Sequence, residues 1–309
     1  MVNSLQEDSA IDVIVVPRSH ELADNFEVRR ALPTRQRRMV GPFVFFDQMG
    51  PHVFSAGQGL DVRPHPHIGL ATVTYLYTGE ILHRDSLGSV QSIRPGEVNW
   101  MTAGSGIVHS ERSPSHARQT QSDLFGIQCW VALPQEKEEV QPDFTHVPDT
   151  DLPLLEGDGV LARVIAGEFH GRTSPVSTFS PLVQVDLLLA PGASIEIAPI
   201  YAERALYVSA GKVDLGPDGT HEAGQLLVLK AGKQVVLRGV SGAAPTRVML
   251  VGGEPMDGPR YIAWNFVSSS LERIDRAKRD WQEQNFPAVP EEYEFIPLPE
   301  LPGKPVRYP

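Results

Sequence analysis

Between residues 62 and 104 the sequence switches from strand-like run to turn about every ten residues. Runs at 71–77, 81–83, 91–93 and 98–101 are followed by turn chemistry at Gly79, Leu87-Gly88, Pro95-Gly96 and Ala103-Gly104. Short strands at this spacing belong to a sandwich or barrel, not to strand–helix–strand units. The chain carries 27 glycines and 27 prolines, too many for a helical bundle, and they fall between runs of Val, Ile, Leu, Thr and Tyr. The predicted class is all-β.

A chain of 309 residues is long for one β-barrel core and comfortable for two. Early strands are predicted at 11–16, ended by Pro17, and at 43–46, entered through Gly41-Pro42. After a polar stretch at 134–151, strand-like runs resume at 160–165, 182–189 and 205–208, which places a boundary near residue 155. The expected division is 1–155 for a first barrel and 156–309 for a second, the latter including a closing helix at 270–285 and a tail. An internal repeat supports two copies of one barrel. Tyr75-Leu76-Tyr77-Thr78-Gly79 is echoed by Tyr207-Val208-Ser209-Ala210-Gly211, and Pro95-Gly96-Glu97-Val98 by Ala223-Gly224-Gln225-Leu226. For the helix, Ser269 and Glu272 form a capping box, and Leu271, Ile274, Ala277, Lys278 and Trp281 share a face. Seven of the residues 287–309 are proline, so the tail is predicted to be an extended strap and not a central strand.

In Arg63-Pro64-His65-Pro66-His67 the histidines are two apart, so on an extended strand both imidazoles point to one face, about 7 Å apart along the chain. His109 and Glu111 repeat that spacing after the turn Gly104-Ser105-Gly106. If the two strands are neighbours, three imidazoles and one carboxylate converge. Such a set suits iron, and also manganese, cobalt, nickel or copper, with one or two coordination positions left open. The alternative is that each histidine is separately a satisfied polar or surface residue.

Other residues divide similarly between roles. Asp85 suits an outer partner of a metal-bound histidine, or the stabiliser of the hairpin it shares with His83 and Arg84. His52 is read as a surface histidine, and Cys129, in a strand-like run at 125–131, as a buried inert thiol. There is no Gly-x-Ser-x-Gly elbow or phosphate-binding glycine loop, which argues against a hydrolase or nucleotide enzyme.

A formal charge of -11 disfavours direct nucleic-acid binding, and no Lys/Arg stripe with interleaved aromatics occurs. The cluster Arg29, Arg30, Arg35, Arg37 and Arg38 is expected on a solvated face. With one cysteine, a polar start at residues 1–8 and no apolar run of membrane-spanning length, the expectation is a cytoplasmic, disulfide-free protein with no membrane partner.

Several stretches carry a family resemblance. Gly59 followed by His65-Pro66-His67 and Gly79 resembles the first cupin motif, and Pro95-Gly96 through His109 the second. Arg29-Arg30-Ala31-Leu32-Pro33, Val40-Gly41-Pro42-Phe43, His83-Arg84-Asp85-Ser86-Leu87-Gly88 and Trp100-Met101-Thr102-Ala103-Gly104, with Gly106-Ile107-Val108-His109-Ser110-Glu111, closely resemble the pirin family. The likeness is dense over 26–135 and looser beyond.

The resemblance implies a bicupin: two cupin-type β-barrels with a C-terminal helix and an extended Pro-rich tail. It implies one mononuclear site in the first barrel, with ligands at His65, His67, His109 and Glu111, for a divalent transition metal. Iron(II) stands first, with manganese, nickel, cobalt, copper and zinc as alternatives. Many cupins place a carboxylate four residues after the second histidine; here that residue is Ala71, so Glu111 supplies the anionic ligand. Extending the repeat without gaps sets Ile197 and Pro199 against the first histidine pair and Leu237 and Gly239 against His109 and Glu111, so the second barrel is expected to be structural. The implied activity is a quercetinase-like dioxygenase acting on a small aromatic or flavonol-like substrate, with Glu111 as catalytic base. The alternative from another class is a metal- or redox-responsive regulator that binds a protein partner.

Overall fold

The computed structural model describes residues 9–23, 26–242, 244–300 and 305–309. The chain divides into two units that interleave in sequence. One comprises 1–18, 30–43 and 150–255, and the other 19–29, 44–149 and 256–309. A single boundary near residue 155 therefore does not describe the division. The first strand, Ile11–Val15, pairs antiparallel with Leu226–Leu229 of the second barrel. The closing helix and tail fall instead with the first barrel. Sequence neighbours were assumed to be spatial neighbours, and at both ends of the chain they are not.

In the first barrel a seven-stranded sheet runs in the order Asp143–Val147, Val98–Thr102, Leu70–Thr78, Ser122–Ala132, Phe43–Phe54, Phe26–Leu32, Arg18–Ala23. A four-stranded sheet runs Asp61–His67, Ile107–Arg112, Ile81–Asp85, Val90–Ile93. Phe26, Met49, Phe54, Leu60, Val62, Leu76, Ile81, Ile93 and Leu124 form one of its apolar clusters.

The second barrel repeats this plan. Its four-stranded sheet, Ser194–Ile197, Val235–Gly239, Lys212–Asp214, Thr220–Glu222, visits its strands in the same relative order as that of the first barrel. Its larger sheet has Ile11–Val15, Leu226–Leu229, Glu203–Ala210, Thr246–Gly253, Leu182–Leu189, Val160–Phe169 and Leu154–Gly157 in series. The repeated Tyr75 and Tyr207 segments lie on equivalent strands. Ile11–Val15 holds the edge that Asp143–Val147 holds in the first barrel.

The helix Leu271–Gln282 buries Ile274, Ala277 and Trp281, while Leu271 stays at the surface. Its cap is Ser270, whose side chain accepts from the Arg273 amide; Ser269, expected in that role, is bound to Glu138. With Ile68, Val108, Phe266 and Val289 the helix forms a cluster on the first barrel. On the strand Ile107–Arg112, side chains alternate, so Val108 faces this cluster and His109 points the other way. The tail is fastened to the same region. The Ile296 amide donates to Pro64 O at 2.8 Å, and Trp281 Nε1 donates to Ile296 O at 3.0 Å. Part of the predicted strap, 301–304, and the predicted polar start at 1–8 lie outside the described residues. Val306–Tyr308 pairs at an edge with Arg260–Ala263.

Candidate metal centre

His65 and His67 both lie on Asp61–His67, and His109 sits directly across the ladder from His65. The ladder slips between His109 and Glu111: Glu111 pairs with Val62, so Asp61–His67 carries the extra residue beside the site. Pro64, which has no amide hydrogen to lose from a ladder, falls within this bulge. The ligand-type atoms of His65, His67 and His109 all lie within 4.8 Å of one another. The three are 7%, 1% and 1% exposed.

Hydrogen bonds fix how the rings present themselves. His65 Nδ1 faces Arg63 O at 2.9 Å and His67 Nδ1 faces Asn265 O at 3.3 Å. A carbonyl only accepts, so both Nδ1 atoms carry the proton and both Nε2 atoms are bare. His109 Nε2 is buried without a hydrogen-bond partner. Burial lowers the pKa of all three, well below the ordinary imidazole value for His67 and His109, so the rings are neutral at physiological pH. Neutral imidazole is the form that coordinates a metal.

Glu111 is also buried, but it is not in the mutually close group. Gln128 Nε2 donates to Oε1 at 2.9 Å and to Oε2 at 2.8 Å, and Thr74 Oγ1 donates to Oε1 at 3.1 Å. The charge of Glu111 reaches His65, raising its pKa against the larger lowering by burial. Three of the four expected ligands are thus gathered, with the fourth held beside them by two polar neighbours from the facing sheet.

Behind His109 stands His83, with the two Nδ1 atoms 3.4 Å apart. His83 Nε2 meets Asp85 Oδ2 at 3.0 Å, and the ring stacks on Phe144 at 4.3 Å. Asp85 Oδ1 accepts from the amides of Leu87 and Ser89 at 2.9 and 3.0 Å. Of the two readings of Asp85, the turn-stabilising one is seen directly in Oδ1; Oδ2 faces His83, which lies outside the clustered trio. Burial pushes the Asp85 pKa up, but the hydrogen bonds from His83 and Ser89 outweigh it, and the net shift is downward. On the other side, Trp130 lies 5.1 Å from the His67 ring and stacks on Phe45 at 4.1 Å.

Gln128, Thr74 and Asn265 escaped sequence reasoning. Gln128 and Thr74 face each other across Leu70–Thr78 and Ser122–Ala132, and only that pairing brings them to Glu111. Asn265 acts through its backbone carbonyl, which leaves no residue-type signal. Cys129 is buried, as expected.

The equivalent strands of the second barrel bury aliphatic side chains. Ile197, Val235 and Leu237 lie in its core, with Ile195 packed against them. Pro199, set against His67 by gapless extension, is exposed and lies beyond the end of Ser194–Ile197. Among the described residues, no second metal-type cluster accompanies the histidine trio.

Two antiparallel barrels of one plan, with a histidine cluster in the first, define a bicupin protein. The sequence profile of the pirin family matches residues 25–131, and that of the pirin C-terminal cupin domain matches 184–287. The chain is 49% identical over 294 residues to a pirin-like protein of Caulobacter vibrioides, covering 94% of this chain and all of that one. It superposes on the crystal structure of quercetin 2,3-dioxygenase from Acinetobacter baumannii with a TM-score of 0.87 at 37% identity, covering 96% and 97% of the two chains. It shares its fold with the Escherichia coli pirin YhhW in complex with nickel(II), at a TM-score of 0.62 and 17% identity over 79% of this chain and 99% of that one. The chain belongs to the pirin family. Among the described residues no helix is long and apolar enough to cross a membrane.

Proposed function

We propose that this pirin is a metal-dependent dioxygenase of the quercetinase type. The carrying observation is the convergence of three neutral, buried imidazoles in the first barrel, with Glu111 beside them. Near-full-length likeness to a quercetin 2,3-dioxygenase structure supports the same reading. Three Nε2 donors and a carboxylate suit a borderline divalent metal, with iron(II) first and manganese, nickel, cobalt, copper and zinc as alternatives. Such an ion would orient the substrate and activate it electronically toward dioxygen.

The chain's own residues supply the rest. Glu111 accepts the proton of the flavonol hydroxyl, giving an electron-rich enolate, and Gln128 and Thr74 hold the carboxylate in place for that transfer. The stacked Phe45 and Trp130 form an apolar wall next to His67 that suits a flat aromatic ring. Burial of the histidines keeps bulk water from the reacting centre.

The test is quercetin-dependent oxygen consumption by protein reconstituted anaerobically with iron(II) or manganese(II), with His67→Ala alongside. Turnover that vanishes in the variant supports the dioxygenase. Stoichiometric metal binding without turnover overturns it and favours the partner-binding regulator.

A further inference from the structure

Two of the three histidines have their tautomer dictated by a backbone carbonyl, but the third does not. His109 Nδ1 faces another imidazole nitrogen, which is able to donate or to accept. Its proton could sit on either ring nitrogen unless something further out decides. Asp85 is placed to decide.

Resting on the reading that His65, His67 and His109 hold a metal, we propose that Asp85, acting through His83, locks His109 in the Nδ1–H tautomer and so presents Nε2 toward the metal. Ionised Asp85 only accepts, so His83 Nε2 must carry the proton. With the His83 ring neutral, its Nδ1 then holds a lone pair and accepts from His109 Nδ1–H, 3.4 Å away. The remaining nitrogen, His109 Nε2, is left bare, and it is the buried atom without a protein partner. The direction of the chain is anchored at its far end, because the other Asp85 oxygen is already occupied by the amides of Leu87 and Ser89. Stacking on Phe144 holds the His83 ring in plane for both contacts. His83 and Asp85 are positioning residues, one and two steps behind the ligand. In the second barrel, whose equivalent strands bury aliphatic side chains, the strand Lys212–Asp214 buries only Val213, so among the described residues neither the histidine trio nor the relay behind it is repeated there.

The anchoring gives the proposal a sharp test in Asp85→Asn. Because the two turn amides require an oxygen at the Oδ1 position, the new NH2 group must take the Oδ2 position and donate to His83 Nε2. His83 then carries its proton on Nδ1, His109 Nδ1 becomes the acceptor, and Nε2–H blocks coordination. Long-range nitrogen–proton correlation spectra of the full chain without metal read these tautomers directly, and competition with a chelator reads affinity for zinc and manganese. The expected result is Nδ1–H at His109 in the parent, Nε2–H in Asp85→Asn, and affinity reduced by about 10- to 100-fold. Should Asp85→Asn not fold, His83→Phe leaves the Asp85 turn intact and is expected to give mixed His109 tautomers and weakened binding. An unchanged tautomer and unchanged affinity in whichever variant folds overturns the relay. Neither measurement involves quercetin or dioxygen, so a failed dioxygenase assay and a failed relay are told apart.

Discussion

Gln128 reaches across the first barrel to Glu111, its single amide nitrogen donating to both carboxylate oxygens at 2.9 and 2.8 Å. The contact holds a buried charge beside, and not among, the three clustered imidazoles. In Gln128→Leu the carboxylate retains only Thr74, and loss of a hydrogen bond to a buried charged group costs roughly 1.5–3 kcal/mol. The variant is expected to unfold at lower denaturant than the parent when metal-free, with the gap narrowing once metal is loaded. Urea titration of both forms checks this.

Metal content should follow the first barrel alone. His109→Ala is expected to abolish stoichiometric binding, measured by elemental analysis after gel filtration. Leu237→Ala, in the core of the second barrel, should leave one metal per chain while costing about 2–5 kcal/mol of stability. Loss of metal from the second variant as well would contradict the assignment.

Beneath the closing helix, fully buried Arg260 pairs with Glu138 at 2.9 Å, and Glu138 also accepts from Ser268 and Ser269. Breaking one side of a buried pair leaves an uncompensated charge, so Arg260→Leu should cost about 3–5 kcal/mol. The double variant with Glu138→Leu is expected to recover part of that loss. Guanidinium denaturation of the single and double variants gives the comparison.

The tail is held by charge. Glu292 takes two bonds from Arg112, at 3.0 and 2.8 Å, and one from Ser110 at 2.8 Å. Burial pushes its pKa up, but these bonds outweigh it and leave the group below its ordinary value of 4.5. The folded state therefore binds fewer protons than the unfolded one, so the contribution is complete above that value and is lost as pH falls below it. The melting-temperature difference between the parent and Glu292→Gln should be constant above about pH 5.5 and shrink below 4.5.

Much of the candidate metal centre was legible because strand periodicity is short and strict. His-x-His and His-x-Glu each declare a common face, and one ladder between their strands suffices to bring the imidazoles together. The groups around them were less legible. Gln128 and Thr74 depend on the facing sheet, and Asn265 lies far along the chain and contributes only backbone. Asp85 was visible as a residue, but the separate tasks of its two oxygens needed coordinates. The barrels themselves were announced by regular turns, whereas the exchange of terminal segments was not, since nothing in the run at 11–15 says which sheet it will join.

That exchange has a consequence for how the protein is made. Ile11–Val15 leaves the ribosome well before its partner Leu226–Leu229, which follows roughly two hundred residues later. The second barrel cannot seal its edge until Leu226–Leu229 has been synthesised, and until then an apolar ribbon waits unpaired. Loss of Ile11–Val15 would thus be felt in the second barrel, leaving it with an open sheet edge of the kind that invites association between nascent chains.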